Sequence, residues 1–557
     1  MGRIFISYSL AKYRVAVDEA WKKMRDINLV RRLWEKDYTL WKPLPDEIAN
    51  RLGWLEAPAQ TLKKINYVRE TLAPLAAGEI SEVILLGMGG SSLAAEVFGQ
   101  ILGFAPGYPK LRVVDTTNPE IIFDVLQKID WGKTVFIVSS KSGTTQEVTS
   151  LFHFFYNSAL KNIGTDAGKN FIFITDEGSP LAETARQLNA FHVFLNNPDI
   201  GGRYSALSFP GIVPAALIGA DAEQLLQRAT IAAELERQLV TGASLGAALG
   251  ALANKGRNKV TFILPQPWKS LGDWLEQLIA ESTGKERKGI VPVLEEPVFD
   301  NFTYRNDRVF VCLQDEGAED SARVKALRLA GHPLITVQLS DKYQLGAHMF
   351  LWEMATAVAA HFLEVNPFDQ PDVETTKRHT RAMIAEHKKR KSMPPEMPAF
   401  NFAQGAIYGD VRGASPLDIF KNLLQQASPD DYICLQLYLS PSAQIKEAIA
   451  SLRATILKKY KLPVTFGWGP RYLHSTGQLH KGDAGKSLFI QFTQDYAFNL
   501  DIPDEAGKEA SSLTFGTLIA AQARGDRQAL EEKGRTIVRY HLKSNAASLL
   551  NDLASQL

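Results

Sequence analysis

The chain has 557 residues, more than one ordinary hydrophobic core organises, so we expect two or three domains. Its hydrophobic fraction of 45% and charged fraction of 22% are typical of a globular enzyme. A net charge of +1 argues against recruitment to nucleic acid or to a membrane surface. Cys312 and Cys434 lie in apolar runs far apart in the sequence, which favours buried thiols in a reducing cytoplasm. We find neither a leader-like pattern in the N-terminal residues of this sequence nor an apolar run of about 18 residues, so no membrane partner is expected.

Residues 1–60 are predicted to form a helical lead-in that packs on the first domain. The apolar positions on its recurring face are Trp21, Leu29, Leu33 and Trp41. Beyond it, apolar runs alternate with helical patterns, which predicts an α/β fold with doubly wound, mainly parallel sheets. We expect one such domain over 61–235 and a second over 236–391. A Pro-rich linker at 392–398 then leads to a smaller C-terminal α/β domain over 399–557.

The predicted strands are short apolar runs, each followed by a polar or glycine-containing turn. In the first domain they are 82–86, 111–115, 134–138, 171–175 and 191–196. In the second domain they are 259–264, 290–294, 308–314 and 333–339. The third domain shows two clear strand patterns, at 432–439 and 487–494, and a helix pattern over 443–460.

A cluster of hydroxyl side chains follows the apolar run 134–138. Its members are Ser139, Ser140, Ser142, Thr144 and Thr145, with Gly143 among them. A helical pattern begins at Gln146, so the segment is predicted to be a strand, a tight loop and a helix N-terminus. Such a loop presents backbone N–H groups, hydroxyl donors and a helix dipole to a phosphate monoester. The alternative is an ordinary turn with one N-capping hydroxyl.

A glycine-rich turn, Gly87-Met-Gly-Gly-Ser91, follows the first predicted strand. It lacks the third glycine of a dinucleotide fingerprint, because Ser92 stands at that position. The turn still allows the backbone and hydroxyls near Gly90 and Ser91 to approach a small polar ligand; a plain tight turn is the alternative. Sequences near 168–169 and 485–487 lack the glycines of a Walker loop, so nucleoside triphosphate chemistry is not expected.

Two further segments contain candidate charged groups. In Gly201-Gly-Arg203 the glycines bring the backbone close to a ligand and Arg203 offers a guanidinium to an anion, with a surface turn as the alternative. Gln277 and Glu281 are one helical turn apart and share a face, although a solvated glutamate also fits this pattern.

Together these motifs resemble the glucose-6-phosphate isomerase family, whose members contain two sugar-isomerase (SIS) domains. The segments that carry the resemblance are 87–91, 140–147, 201–205, 277–285 and 366–377. The resemblance implies interconversion of glucose 6-phosphate and fructose 6-phosphate through a cis-enediol, with no metal or redox cofactor. A hexose 6-phosphate would then be the small-molecule partner.

The resemblance also implies roles for particular residues. The sugar phosphate would be held by Ser140, Ser142 and Thr145, with Lys141 nearby. Other substrate-binding positions would be Gly90, Ser91, Glu147 and Gln277.

The remaining roles implied by the resemblance are chemical. Glu281 would move a proton between C2 and C1, Arg203 would stabilise the enediolate, and Lys377 would assist ring opening.

The family's ring-opening histidine has no counterpart at 300–325, which contains no histidine. The third domain instead carries His474 and His480 in a glycine-flanked segment, and Gly-Gln-Leu-His480 echoes the usual motif. We therefore expect the third domain to supply this histidine, with His480 preferred to His474.

The lead-in and the third domain resemble the isomerase half of bifunctional transaldolase–isomerase proteins. A transaldolase barrel needs about 250 residues, and no segment here accommodates one. Association with a separate transaldolase and a homo-oligomer are both left open. The alternative functions are an isomerase that also accepts mannose 6-phosphate and a non-catalytic SIS regulator. Glu281 and Lys377 favour catalysis, because a sensor needs neither a base nor a ring-opening acid.

Overall fold

In the computed structural model, which describes residues 3–76, 79–299 and 303–557, the strands form three sheets and one small hairpin. The strands are β1 (Ile6–Ser9), β2 (Glu82–Gly87), β3 (Lys110–Val114), β4 (Thr134–Ser139), β5 (Phe171–Asp176), β6 (His192–Asn196), β7 (Lys259–Ile263), β8 (Val291–Val293), β9 (Arg308–Asp315), β10 (Leu334–Leu339), β11 (Phe400–Phe402), β12 (Gly405–Tyr408), β13 (Tyr432–Tyr438), β14 (Val464–Trp468), β15 (Ser487–Gln494), β16 (Asp501–Pro503), β17 (Ser511–Thr514) and β18 (Thr536–Leu542).

Helices connect the strands and cover the sheets. They are α1 (Arg14–Asp26), α2 (Leu29–Trp34), α3 (Ala57–Lys63), α4 (Ile65–Ala76), α5 (Leu93–Leu102), α6 (Pro119–Lys128), α7 (Gln146–Ile163), α8 (Pro180–Gln187), α9 (Phe209–Leu217), α10 (Ala222–Leu239), α11 (Thr241–Asn254), α12 (Leu271–Thr283), α13 (Ala322–Leu329), α14 (Leu345–Leu363), α15 (Val373–Arg390), α16 (Pro416–Gln425), α17 (Ala443–Tyr460), α18 (Gly477–Gly482), α19 (Phe515–Glu532) and α20 (Ala546–Gln556).

The first sheet is wholly parallel, with the strand order β3-β2-β4-β5-β6. Alternate side chains of β2 enter opposite cores: Val83 packs with α4, α5 and α9, whereas Ile84 packs with α6, α7 and α8. A strand buried on both faces explains the unbroken apolar runs in the sequence. The strand order reverses between β2 and β4, so the loops after these two strands open onto one crevice.

The second sheet has the order β1-β10-β9-β7-β8, with β7 to β10 parallel. Helix α12 follows β7 and ends at Thr283, immediately before Gly284. Because β7 and β8 are parallel and α12 joins them, α12 runs back from the carboxyl end of β7 toward the amino end of β8. The predicted α/β class, with two mainly parallel sheets and a smaller third α/β domain, is confirmed.

The lead-in is mostly helical, as predicted, and Gly53 N donates to Asp199 O of the first domain at 2.9 Å, but the lead-in also contains a strand and packs on the second domain. It begins with β1, which pairs antiparallel with β10 of the second sheet. The indoles of Trp21 and Trp41 donate to Ser244 O and Ala357 O, both at 2.9 Å, on α11 and α14. Because α14 is buried on nearly all sides, its face away from the sheet needs a cover, and the lead-in supplies it.

The third domain has the sheet order β11-β12-β18-β15-β13-β14. In its parallel part, β14-β13-β15-β18, the strand order again reverses, because β14 and β15 lie on opposite sides of β13. The sequence patterns located β13, β15 and α17 but missed β14 and β18. In β18 the apolar run is interrupted by Arg539 and His541, whose side chains line a cleft rather than a core.

The third domain packs against both preceding domains. Thr117 of the first domain donates to Gln522 Oε1 at 2.7 Å, and Arg453 of the third donates to Leu294 O of the second at 2.6 Å. Gly482 lies so close to the second domain that a β-carbon on it would be 2.3 Å from Gly284 O. These contacts bring the segment between β14 and β15 over the crevice between the first two domains.

Among the described residues, no helix is both long enough and apolar enough to cross a bilayer. Cys312 and Cys434 are buried, free thiols. The basic run 388–391 ends α15 and is exposed, as a solvated helix end would be.

Candidate active site

The hydroxyl-rich loop joins β4 to α7 at the switch point of the first sheet. The hydroxyl oxygens of Ser140 and Thr145 are 3.2 Å apart, and the Gly143 amide donates to Ser140 Oγ at 3.2 Å. Gly143 has a φ of +69°, which glycine adopts without strain. Thr145 is the N-cap of α7, but its side chain caps no amide of the helix. The first turn of α7 can therefore offer its N–H groups to an anion.

Ser142 and Lys141 lie on the outer side of this loop. Ser142 is exposed, and its hydroxyl shares a hydrogen bond of 2.9 Å with that of Thr144. Lys141 Nζ is 2.5 Å from Asp176 Oδ2 and donates to Pro198 O at 2.7 Å. Lys141 is thus held at the neighbouring end of β5 rather than over the hydroxyls of Ser140 and Thr145.

The turn after β2 packs directly against the loop that carries Arg203. A β-carbon at Gly90 would lie 2.0 Å from the carbonyl oxygen of Gly202, and Ser205 Oγ donates to Gly90 O at 3.2 Å. A side chain at position 90 would therefore push the two loops apart. Ser91 follows in the same turn and is half-buried.

Glu281 lies in the last turns of α12, with its carboxylate held by two side chains. Arg203 Nη1 is 3.1 Å from Oε1, and Gln277 Nε2 donates to Oε2 at 3.1 Å. The Glu281 side chain is 13% exposed and that of Arg203 is 4% exposed. The ion pair is thus largely removed from water, while the carboxylate keeps some access to the crevice.

Arg203 is fixed by contacts from the second domain. Its Nε donates to Ser282 Oγ at 2.9 Å, and Nη1 donates to Gln370 Oε1 at 3.0 Å. Its Nη2 donates to the carbonyl oxygens of Pro367 and Asp369, at 2.6 and 3.0 Å. A guanidinium with so many fixed partners is already oriented before a substrate arrives.

His474 reaches the same crevice from the third domain, at the end of a short 3-10 turn that follows β14. Its Nε2 is 2.9 Å from Glu147 Oε1 of α7. Its backbone carbonyl accepts a hydrogen bond of 2.8 Å from Gln277 Nε2. Gln277 therefore contacts both Glu281 and the segment that carries His474.

The contact between His474 and Glu147 favours the charged form of both groups. Burial lowers the pKa of His474, but the charge of Glu147 and its hydrogen bond outweigh burial, and the net pKa is raised. Burial raises the pKa of Glu147, but His474 outweighs it and the net pKa is lowered. Gln522 Nε2 also donates to Glu147 Oε1, at 2.7 Å, and so fixes the carboxylate.

Lys377 lies on α15, half-exposed, with its Nζ 2.6 Å from Glu374 Oε1 on the same helix. Burial and the contact between His474 and Glu147 have the largest effects on the pKa values of these two residues. The positive charge of Lys377 has a smaller effect and lowers the pKa of both. The structure thus brings Lys377 close enough to act electrostatically on the pair.

The structure places His480 in a different environment from His474. Its side chain is buried on α18, 2% exposed, with Nε2 3.4 Å from Cys434 Sγ and its ring packed on Phe489. Burial holds the pKa of His480 well below its usual value, and the positive charges of Lys481 and Arg535 lower it further. The structure therefore places His474 at the crevice and His480 in the core of the third domain, which argues against the expected preference for His480.

Sequence motifs did not indicate Gln522, which orients Glu147 from α19. Gln522 lies in an ordinary helical pattern with no glycine or hydroxyl cluster beside it. It could be found only by knowing that α19 packs near α7 in space.

Among the described residues, no three or more His, Cys, Asp or Glu side chains lie together in a way that could hold a metal ion.

Comparisons with known proteins identify the family. A family model described as phosphoglucose isomerase matches residues 62–287. A probable glucose-6-phosphate isomerase of Haloarcula marismortui is 30% identical over 359 residues, covering 57% of this chain and 80% of that protein. A glucose-6-phosphate isomerase of Symbiobacterium thermophilum is 27% identical, covering 60% of this chain and 86% of that protein.

Solved structures support the fold. The crystal structure of a glucose-6-phosphate isomerase from Chlamydia trachomatis superposes with a TM-score of 0.59 at 18% identity, covering 70% of this chain and 90% of that chain. A hypothetical protein from Thermus thermophilus superposes with a TM-score of 0.55 at 24% identity, covering 68% of this chain and all of that one. The doubly wound domains thus have the fold of a known glucose-6-phosphate isomerase. With a relative that is 30% identical and covered over 80% of its length, the chain belongs to the phosphoglucose isomerase family.

Proposed function

We propose that the chain interconverts glucose 6-phosphate and fructose 6-phosphate. Membership of the family supports this reaction, as do the printed names of its relatives. The observation that carries the proposal is the position of Glu281, a largely buried carboxylate between Arg203 and Gln277. A carboxylate base beside a fixed cation suits proton transfer between adjacent carbons through a negatively charged intermediate.

The phosphate is proposed to bind at the hydroxyl loop. Ser140, Thr145 and the N-terminal amides of α7 supply donors from one side of the crevice. Ser142 contributes from the outer rim, where its hydroxyl is exposed. This placement directs the sugar away from the first sheet and toward Glu281 and His474.

Ring opening is proposed to use His474, assisted by Lys377. With Nε2–H donating to Glu147, the other ring nitrogen of His474 exchanges a proton with the ring oxygen of the sugar. The raised pKa of His474 keeps a useful fraction of the imidazole protonated near neutral pH. As the C1–O5 bond breaks, the ring oxygen takes this proton from the imidazolium, and the C1 hydroxyl gives its own proton back to the imidazole. This leaves an open-chain aldehyde and regenerates the protonated His474.

Isomerisation of the open chain is proposed to use Glu281. The carboxylate takes the C2 proton, and the electron pair moves to give an enediolate whose charge lies on O1. Arg203, whose orientation is already fixed, faces this charge without reorganisation. Return of the proton to C1, with transfer of a proton from O2 to O1, yields the ketose.

Two alternatives are distinguished by a single assay. An isomerase that also accepts mannose 6-phosphate would turn over both C2 epimers, and a non-catalytic regulator would turn over neither. A coupled assay with fructose 6-phosphate, run with mannose 6-phosphate in parallel and with and without a chelator, separates these cases. We expect turnover of fructose 6-phosphate that the chelator does not change; binding without turnover would contradict the proposal.

Replacing Ser140 and Thr145 together with Ala should raise KM for fructose 6-phosphate by about 10- to 100-fold while changing kcat far less. The phosphate is remote from C1 and C2, so most of its binding energy is shared by ground and transition states. Steady-state kinetics measure the effect. Thr144→Ala, in the same loop, is the matched control and should leave KM near that of the wild type. An unchanged KM in the double variant would show that the phosphate binds elsewhere.

Glu147→Gln should shift the pH dependence of kcat. Glu147 raises the pKa of His474, so its loss lowers that pKa and leaves less protonated imidazole at a given pH. The limb on which activity falls as pH rises should therefore move to lower pH. A pH–rate profile measured from about pH 5 to 9 tests this. A limb that stays in place would mean that the protonation of His474 does not control the rate.

Three further points are also proposals. A homo-oligomer is testable by light scattering after size-exclusion chromatography, and association with a separate transaldolase by co-elution. A cytoplasmic location is supported by the unpaired thiols of Cys312 and Cys434.

A further inference from the structure

The third domain contains a cleft of about 440 Å³ that includes none of the residues assigned above. Its floor lies where β13 and β15 end, at Tyr438 and Thr493. One wall is α19, and the other is the Pro-rich linker, from which Glu396 enters the cleft. The isomerase reaction proposed above leaves this cleft without a role.

Three arginines converge on the Glu396 carboxylate, and two of them, Arg524 and Arg539, line the cleft. Arg524 and Arg527 come from α19 and Arg539 from β18. Arg524 Nε is 3.1 Å from Glu396 Oε2, and the other two arginines pair with the same carboxylate. All three side chains are mostly buried, and that of Arg539 is 6% exposed. The Glu396 carboxylate is thus shared by three partly desolvated guanidinium groups.

The arginine cluster keeps unused charge and hydrogen-bonding capacity. Glu531 also pairs with Arg527, at 2.7 Å, so three arginines face two carboxylates and one positive charge remains. If Glu396 leaves, two positive charges remain. Within the described part of the chain, the Nε atoms of Arg527 and Arg539 have no hydrogen-bond partner. A phosphate monoester carries about −1.5 to −2 charge at neutral pH, and its oxygens fit planar guanidinium forks.

The position and lining of the cleft also favour a ligand. The order of the parallel strands reverses at β13, since β14 and β15 lie on its opposite sides, and α/β folds bind ligands at the carboxyl ends of strands at such a point. Arg539 lies over the Tyr408 ring, 4.1 Å from its centroid, and Tyr496 and Phe498 also line the cleft. The remaining carboxylate of the lining, Asp495, is exposed at the rim. The volume falls in the usual range for small-molecule pockets and exceeds what a bare phosphate fills.

We propose that this cleft binds a small organic phosphate monoester, whose phosphate replaces the Glu396 carboxylate between the three arginines. The tyrosine and phenylalanine rings then pack against the organic part. Glu396 occupies the arginines in the absence of ligand and competes with it. The linker can withdraw this side chain without disturbing the sheet, because residues 392–398 lie outside the helices and strands.

The test is a calorimetric titration with phenyl phosphate of the full-length chain carrying Ser140→Ala and Thr145→Ala, so that the hydroxyl loop does not compete. Adding Glu396→Gln should tighten binding by about tenfold, because the internal competitor loses its charge. Adding Arg524→Gln instead should weaken binding by about tenfold or more. Arg524→Lys, which keeps the charge but loses the planar fork, should fall between Arg524→Gln and the unaltered cluster.

Equal affinity in the Glu396→Gln and Arg524→Gln variants would overturn the proposal, as would the absence of binding in Glu396→Gln. If Arg524→Gln fails to fold, as judged by circular dichroism, Glu396→Gln and Arg524→Lys still decide the question. Inorganic phosphate binding as tightly as phenyl phosphate would overturn the assignment of a monoester. Ser140→Ala with Thr145→Ala alone, compared with the wild type, identifies any binding that belongs to the hydroxyl loop.

Discussion

Replacing Glu281 with Gln is expected to lower kcat for fructose 6-phosphate by about 10²–10⁴-fold or more, while the dissociation constant stays near that of the wild type. An amide cannot take the C2 proton, so the transfer between carbons loses its base. The phosphate donors at Ser140 and Thr145 lie on another element and are untouched by this change. The loss should therefore appear in kcat and kcat/KM together, as for an interaction made only in the transition state.

A direct measurement of the Glu281→Gln effect is exchange of the C2 hydrogen with deuterium from D₂O, followed by NMR. The variant should lose this exchange but still interconvert the α and β anomers of glucose 6-phosphate, since anomerisation needs only ring opening. Glu276→Gln on the same helix is the control, because burial, with the charge of Asp273, raises the pKa of Glu276 to about 8. Its carboxyl is thus mostly neutral already, and its amide should leave kcat close to the wild type. Exchange retained within about tenfold in Glu281→Gln would reassign the base, with Glu147 the next candidate.

The parts of the site that local patterns predicted are those built from contiguous residues. The hydroxyl loop and α7 form one strand–loop–helix unit, so the sequence from Thr134 to Gln146 contains most of the information that shapes it. Gln277 and Glu281 were expected on one face because both lie on α12. Helical periodicity holds over such short distances whatever the rest of the chain does.

Residues whose environment depends on packing between domains were harder to predict. Glu147 was expected among the substrate-binding residues, but its carboxylate already contacts His474 and Gln522. We therefore propose that it positions His474. Lys141 was expected near the phosphate, and its contact with Asp176 depends on how the ends of β4 and β5 adjoin. Neither partner is visible in the local sequence.

The position of the lead-in was also hard to predict, because it too depends on packing between parts of the chain that are far apart in the sequence. Its amphipathic pattern correctly indicated a buried face, but a pattern does not identify the surface that covers that face. The backbone pairing of β1 with β10 joins residues more than 300 positions apart. Only the folded arrangement shows that the lead-in closes the second sheet and covers α14.

His474→Ala is expected to abolish ring opening by the enzyme and to lower kcat for cyclic fructose 6-phosphate by about 10²–10⁴-fold. The reason is the geometry of the crevice: the imidazole is oriented by Glu147, and its backbone is held by Gln277, which also contacts Glu281. Exchange between the anomers of glucose 6-phosphate, measured by two-dimensional exchange NMR, should be lost. This is the opposite of the result expected for Glu281→Gln, so the two variants separate ring opening from proton transfer between carbons.

His480→Ala is the matched control for His474→Ala, because both histidines lie in the same segment of the third domain. The ring of His480 fills the core between α18 and the third sheet, so its removal should cost about 2–4 kcal/mol of unfolding free energy. Anomer exchange and kcat per folded molecule should remain close to the wild type. Chemical denaturation measures the first effect and the NMR experiment the second. If His480→Ala instead stays folded and loses anomer exchange, the third domain still supplies the acid, but His480 rather than His474 carries the proton.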